Sequence, residues 1–221
     1  ANVSPNIAAP SEHDDVKEIV RFFDFHLMGM DNGLDKSPRV YYYTMGENVW
    51  KTSDVWPIKA ERKPLYLSTN KAADWSVSAR QESFTNHRVD TTHSLGKDCR
   101  WSFDTNHSGV TYANSDSEDS ITAIFTLPVL EDDVEVTGHP QVNLYIKSAT
   151  SDGSVFVYLE DVDENGNVWK VTDGQFRFVH KKLQEKAPHY KDVVPYHSYL
   201  QVDAEPMDTS KVEFVSFDFG L

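Results

Sequence analysis

The chain has 221 residues, 39% of them hydrophobic, with 12 Phe, 10 Tyr and 5 Trp. This composition is too apolar and aromatic for disorder and suffices for a core that removes roughly 70% of the unfolded surface from water. A formal net charge of −14 repels phosphate backbones and anionic headgroups, so neither nucleic acid nor a membrane surface is an expected partner. The single cysteine, Cys99, excludes an internal disulfide, and neither a signal-peptide pattern nor an apolar run of about eighteen residues is present, which points to a soluble, cytoplasmic setting.

Ser11, with Asp14 three residues on, forms a variant of the capping box. Val16, Ile19, Val20, Phe23 and Leu27 then recur at helical spacing up to a stop at Gly29. The pattern predicts one amphipathic helix, Ser11 to Leu27, of about four turns. Asp31-Asn32-Gly33 and Pro38 punctuate its exit, and Arg39 to Met45 is β-rich, with three successive tyrosines. The segment Thr69 to Lys97 is polar and poor in strand formers, and reads as a loop region.

Strands are predicted over Leu65 to Ser68, Arg100 to Phe103, Ile121 to Thr126, Val134 to Thr137, Val142 to Ile146 and Ser154 to Val162. They continue over Val168 to Thr172, Phe176 to Val179, His197 to Val202 and Val212 to Phe219. The clearest is the stretch in which Val142, Leu144 and Ile146 alternate with Asn143, Tyr145 and Lys147, the period of two of a half-buried strand. Asn165-Gly166 between two β-rich runs is a hairpin signal, since both positions favour positive φ in a tight turn. One helix followed by about ten strands predicts a mainly β fold, a β-sandwich of the jelly-roll, galactose-binding-like type.

The chain opens at Ala1 and stops at Leu221, close behind the apolar run Val212 to Phe219. It therefore reads as a piece of a longer protein whose sheet lacks its last strand here. An apolar strand left at an open edge invites another molecule, so a homo-oligomer is an expected state.

Catalytic signatures are sparse. No Gly-x-Ser-x-Gly elbow is present, and the nine histidines show no His-x-x-x-His or His-Glu-x-x-His spacing, so they are read as surface or turn residues. Asp161-Val162-Asp163-Glu164-Asn165-Gly166 matches the opening of a calcium loop, but Thr172 stands where a bidentate Glu is required. A plain hairpin turn is the preferred reading, and neither a metal nor any other cofactor is expected. The sequons at Asn2 and Asn106 decide nothing. Trp50, Trp56, Trp75, Trp101 and Trp169 are read as core and domain-interface residues before a sugar-binding face, and Lys147 and Lys170 as solvated.

Several segments together resemble the acyl esterases of the cocaine esterase and X-Pro dipeptidyl-peptidase superfamily, in which a C-terminal jelly roll follows an α/β-hydrolase domain. Arg21 to Gly33, RFFDFHLMGMDNG, resembles the last hydrolase-domain helix and its exit. Pro38-Arg39-Val40 through Met45-Gly46, then Trp50 and Trp56-Pro57, resembles the entry to the jelly roll. Leu65-Tyr66-Leu67, Val134 to Pro140, Phe156 to Val162 and Val171 to Arg177 continue the resemblance in order.

The resemblance implies a division into residues 1–36, the end of the α/β-hydrolase domain, and residues 37–221, the C-terminal jelly roll without its last strand or strands. It implies a parent serine hydrolase acting on a small ester or amide, with the hydrolase domain as the partner of this chain. The nucleophile Ser, the Asp and the His of that family lie upstream of Ala1, so the chain alone is expected to be inactive. In the family a jelly-roll loop lends apolar residues to the acyl pocket, and the corresponding segment here is Leu95 to Trp101. Cys99, Arg100 and Trp101 are thus candidate substrate contacts, Trp101 as an apolar wall and Arg100 as a donor, with a core role the competing reading for Trp101. The alternative for the whole chain is a free-standing carbohydrate-binding or adhesion module, which the leading helix argues against.

Overall fold

A computed structural model describes residues 14–76, 84–90, 122–188 and 193–219. These residues are mainly β, with one α-helix, and fall into two compact units divided after Thr137.

In the first unit, α1 spans Asp15–Met28. Its cap is Asp14, whose carboxylate accepts from the Lys17 N–H at 3.0 Å, satisfying a donor that the first turn leaves open. Ser11 lies outside the described residues. The helix stops at Gly29, which takes the left-handed conformation at φ +67, and the Asp24 carbonyl accepts from both Gly29 and Met30. Two hairpin-like ladders follow. β1 (Val40–Thr44) pairs antiparallel with β2 (Val49–Ser53), and β3 (Tyr66–Leu67) pairs with β4 (Ala73–Asp74).

The strand expected over Val134 to Thr137 is not formed. Side chains hold that segment instead: Lys51 Nζ on β2 reaches Glu135 Oε2 at 2.6 Å, and Thr137 Oγ1 donates to Glu135 Oε1 at 2.6 Å. Lys51 also meets Glu47. Hydrogen bonds to these two carboxylates raise the Lys51 pKa well above the usual lysine range.

The second unit contains two antiparallel pairs. β5 (Gln141–Ile146) pairs with β8 (Glu213–Asp218), and β6 (Ser154–Val162) pairs with β7 (Val168–Arg177), with a register shift at Leu159/Glu160. Alternation puts Val142, Leu144 and Ile146 of β5, Val215 and Phe217 of β8, Val155 and Val157 of β6 and Phe176 of β7 into one core, closed by Phe178 and Met207. Val215 and Phe217 are 0% and 1% exposed, and the Phe176 and Phe217 rings stack with centroids 5.0 Å apart. Among the described residues every ladder is two-stranded, which gives a mainly β chain with a two-sheet core rather than a traced jelly-roll connectivity.

The predicted strand His197 to Val202 is also absent. Tyr199 has φ +55, which no strand accommodates, and Gln201–Asp203 is a 3-10 turn. Asp203 fixes that turn by accepting from Ser198 Oγ at 2.7 Å and from Lys182 Nζ at 2.9 Å. The terminal strand, in contrast, is formed and pairs with β5; its Val215, Phe217 and Phe219 are buried, while Val212 and Phe214 are exposed. Phe219 extends the pairing by donating its N–H to Pro140 O.

Candidate functional site

α1 is built the wrong way round for a helix that serves only its own unit. Its partly covered side is polar: Glu18, Arg21 and Asp24, with Phe25. Arg21 makes an ion pair with Glu18 at 3.1 Å and donates to Ser37 Oγ, and the Asn32 amide donates to Arg21 O at 2.7 Å. These bonds tie the helix to the segment 31–37. The predicted apolar stripe of Val16, Ile19, Val20, Phe23 and Leu27 is open to water, with Val16 70% and Leu27 74% exposed, and Phe22, Met28 and Met30 widen it. A contiguous apolar face of this kind marks an interaction surface.

Cys99, Arg100 and Trp101 lie outside the described residues. The tryptophans within them are dispersed. Trp50 and Trp56 lie near the β1–β2 hairpin, their rings against Tyr43 and Tyr42, and Lys63 stands over Trp75. Trp169 donates its indole N–H to Asp163 Oδ2 at 3.1 Å.

That last bond belongs to the loop that matched a calcium motif. Asp163 Oδ1 accepts from the N–H groups of Asn165 and Asn167, both at 2.9 Å, and Oδ2 accepts from Asn167 Nδ2 at 2.8 Å as well as from Trp169. These donors occupy the carboxylate lone pairs and hold the Asp163 pKa down at about 2. The loop is thus a self-contained hairpin turn. Only Gly166 has positive φ, and its N–H donates to Asp163 O at 2.9 Å while Asp163 N–H donates to Asn167 O at 3.0 Å. This is a type I turn closed by a left-handed glycine, not the turn with two positive φ values expected from Asn-Gly. No group of three or more His, Cys, Asp or Glu among the described residues could hold a metal ion, and no helix among them is long and apolar enough to cross a membrane.

Two side chains that the sequence did not single out lock the second unit. His197, 3% exposed, stands against Phe176, with Nε2 2.8 Å from Ser216 O and Nδ1 3.2 Å from Lys182 O. Both oxygens can only accept, and the shorter contact assigns the ring N–H to Ser216 O. Asn143 and Ser216 face each other across β5 and β8 in the narrow arrangement whose carbonyls point outward, so the imidazole occupies the middle of the β8 edge. Lys181 Nζ donates to Pro206 O at 2.6 Å and Glu205 O at 3.1 Å, and lies 3.5 Å from Glu213. Neither residue belongs to a spaced motif. A lone His within the apolar and aromatic run Val193 to Leu200 does not by itself signal a buried donor.

Residues 32–219 match the family described as the X-Pro dipeptidyl-peptidase C-terminal non-catalytic domain. The chain belongs to that family. A provisionally named serine esterase of Mycobacterium bovis is 37% identical over 208 residues, covering 94% of this chain and 33% of that protein, and one of Mycobacterium tuberculosis gives the same figures. The cocaine esterase of a Rhodococcus strain is 26% identical over 173 residues, covering 73% of this chain and 30% of that protein. The chain thus spans about a third of the length of these relatives. α1 precedes the matched family domain, yet with 208 of 221 residues aligned to the mycobacterial proteins, too few are left over for the alignment to omit the helix whole.

Proposed function

We propose that the chain is the accessory C-terminal part of a serine hydrolase of the acyl esterase and X-Pro dipeptidyl-peptidase type, and that the catalytic domain of the longer protein covers the apolar face of α1. The inverted helix carries this reading: its polar side is engaged by its own unit while Val16, Ile19, Val20, Phe23 and Leu27 are left in water. Burying five such side chains is worth roughly 1.5 to 3 kcal/mol each, enough to hold two domains together. On this reading residues 1–36 close the α/β-hydrolase domain and residues 37–221 form the jelly roll.

The segment Cys99, Arg100 and Trp101 extends the proposal to substrate handling, with Trp101 as an apolar wall of the acyl pocket and Arg100 as a donor to a polar acyl group. The substrate class is a small ester or amide, attacked by Ser-His-Asp chemistry in the catalytic domain. A cytoplasmic location fits a chain with one cysteine, and self-association is the fate proposed for a chain kept from its catalytic domain.

The test is to change Val20 and Phe23 together, Val20→Asp with Phe23→Asp, and to measure association with the separately produced catalytic domain. The proposal expects the affinity to fall at least about a hundredfold, as loss of two buried apolar anchors requires. Unchanged affinity contradicts it. A free-standing carbohydrate-binding or adhesion module has no use for an apolar helix face, and would show no association with either form.

A further inference from the structure

The chain contains two Asn-Gly pairs, Asn32-Gly33 and Asn165-Gly166, and both glycines have positive φ, +75 and +81. In such a pair the glycine has no Cβ to shield its backbone nitrogen, so the asparagine side chain can reach it. The two asparagine amides differ in freedom. Asn32 is held at both ends: Nδ2 donates to Arg21 O at 2.7 Å, and Oδ1 accepts from Leu34 N–H at 3.3 Å. Asn165 sits exposed at the hairpin tip; its backbone N–H donates to Asp163, but its side chain has no hydrogen bond among the described residues.

We propose that Asn165 is the deamidation site of the folded chain, with water as co-reactant. After loss of its proton to a base, Gly166 N attacks Asn165 Cγ. The N–Cγ bond forms, the Cγ–Nδ2 bond breaks, and Nδ2 takes up a proton and leaves as ammonia. Water then opens either C–N bond of the cyclic succinimide, leaving an aspartyl or isoaspartyl residue at position 165, a mass gain of about 1 Da with no change in oxidation state.

Two factors set the order of the sites. Gly33 N–H is the more weakly held nitrogen, 3.4 Å from Asp31 Oδ1, whereas Gly166 N–H lies 2.9 Å from Asp163 O. Nitrogen protection alone would therefore favour Asn32. Side-chain rotation decides otherwise, since ring closure at Asn32 must break the Nδ2 bond to Arg21 O that ties down α1 and the local bond from Leu34 N–H, and at Asn165 only one turn bond at an exposed tip, where local opening is cheapest. The product adds a carboxylate beside Asp163 and Glu164, and its isoaspartyl form lengthens a loop whose residue count sets the Val162↔Val168 register.

The test follows both sites by peptide mass mapping during incubation of the chain at mildly alkaline pH, folded and in urea. In urea the two pairs should react at similar rates. In the folded chain Asn165 should react at least about tenfold faster than Asn32. Equal rates in the folded chain, Asn32 leading, or no reaction at either site while both react in urea would overturn the proposal. So would an undiminished mass gain in the Asn165→Gln chain.

Discussion

Gly174 of β7 lies directly against the backbone of Phe219: a Cβ on the glycine would stand 2.7 Å from Phe219 Cα and 3.2 Å from its carbonyl carbon and oxygen. A glycine inside a strand often marks such a close backbone approach, and here it lets β7 meet the end of the β8 segment. Gly174→Ala is expected to lower stability by about 1 to 3 kcal/mol, the usual cost of forcing extra atoms into a closed core. Urea denaturation should show a lower midpoint with an unchanged slope. An unchanged midpoint would mean that the two backbones can separate freely.

His197 makes a second, independent clamp. His197→Ala removes the donor facing Ser216 O in a buried setting, for an expected loss of about 1 to 3 kcal/mol. His197→Gln, which keeps a donor, should fall between the two. If the alanine and glutamine chains lose equal stability, the contribution of His197 is packing against Phe176 and not the hydrogen bond.

The hairpin at Asp163 should open with acid. Donors from Asn167 and Trp169 lower its pKa to about 2 in the folded chain, whereas an unfolded aspartate titrates near 3.9. The folded state therefore binds this proton less readily than the unfolded state, so the contribution is complete above about pH 4 and is lost as pH falls towards 2. Asp208, held down to about 2 by Ser210, titrates in the same window. The Trp169 indole N–H resonance should shift between these pH values, and Asp163→Asn should abolish that shift. A resonance unmoved by acid would contradict the bond assigned to it.

Elements whose side chains alternate or repeat were legible in the sequence. The α1 stripe, the hairpin β6–β7 and the existence of β5 and of an apolar terminal strand follow from periods of 3.6 or 2 and from the Asn-Gly turn signal, whereas the pairing of β5 with that terminal strand does not; some of the family segments lie on the same stretches. What was not legible depends on single side chains acting at a distance. Glu135 answers Lys51 across 84 residues in place of a backbone ladder, Tyr199 breaks a run that scans as a strand, and His197 fills an edge where a strand was expected. Local preference has no access to Glu135 as the partner of Lys51 or to Ser216 as the partner of His197, because each is remote in the chain, while Tyr199 takes its positive φ beside a turn that Ser198 and Lys182 fix through Asp203.

In the longer protein proposed above, Trp101→Ala should impair bulky acyl groups more than acetyl. Loss of part of an apolar wall is worth about 1 to 3 kcal/mol in discrimination, or roughly ten- to two-hundredfold in relative kcat/KM. Equal losses for acetyl and benzoyl esters, with a lowered melting temperature, would assign Trp101 to the core.

Amide hydrogen exchange along α1 tests the central claim most directly. Alone in water, a helix of this length with its apolar face exposed should exchange within the first intervals over Asp15–Met28, because little tertiary packing supports it. With the catalytic domain of the longer protein present, the account predicts that exchange across Ile19, Val20, Phe23 and Leu27 slows at least about a hundredfold. Protection of α1 that is the same with and without the catalytic domain would contradict it.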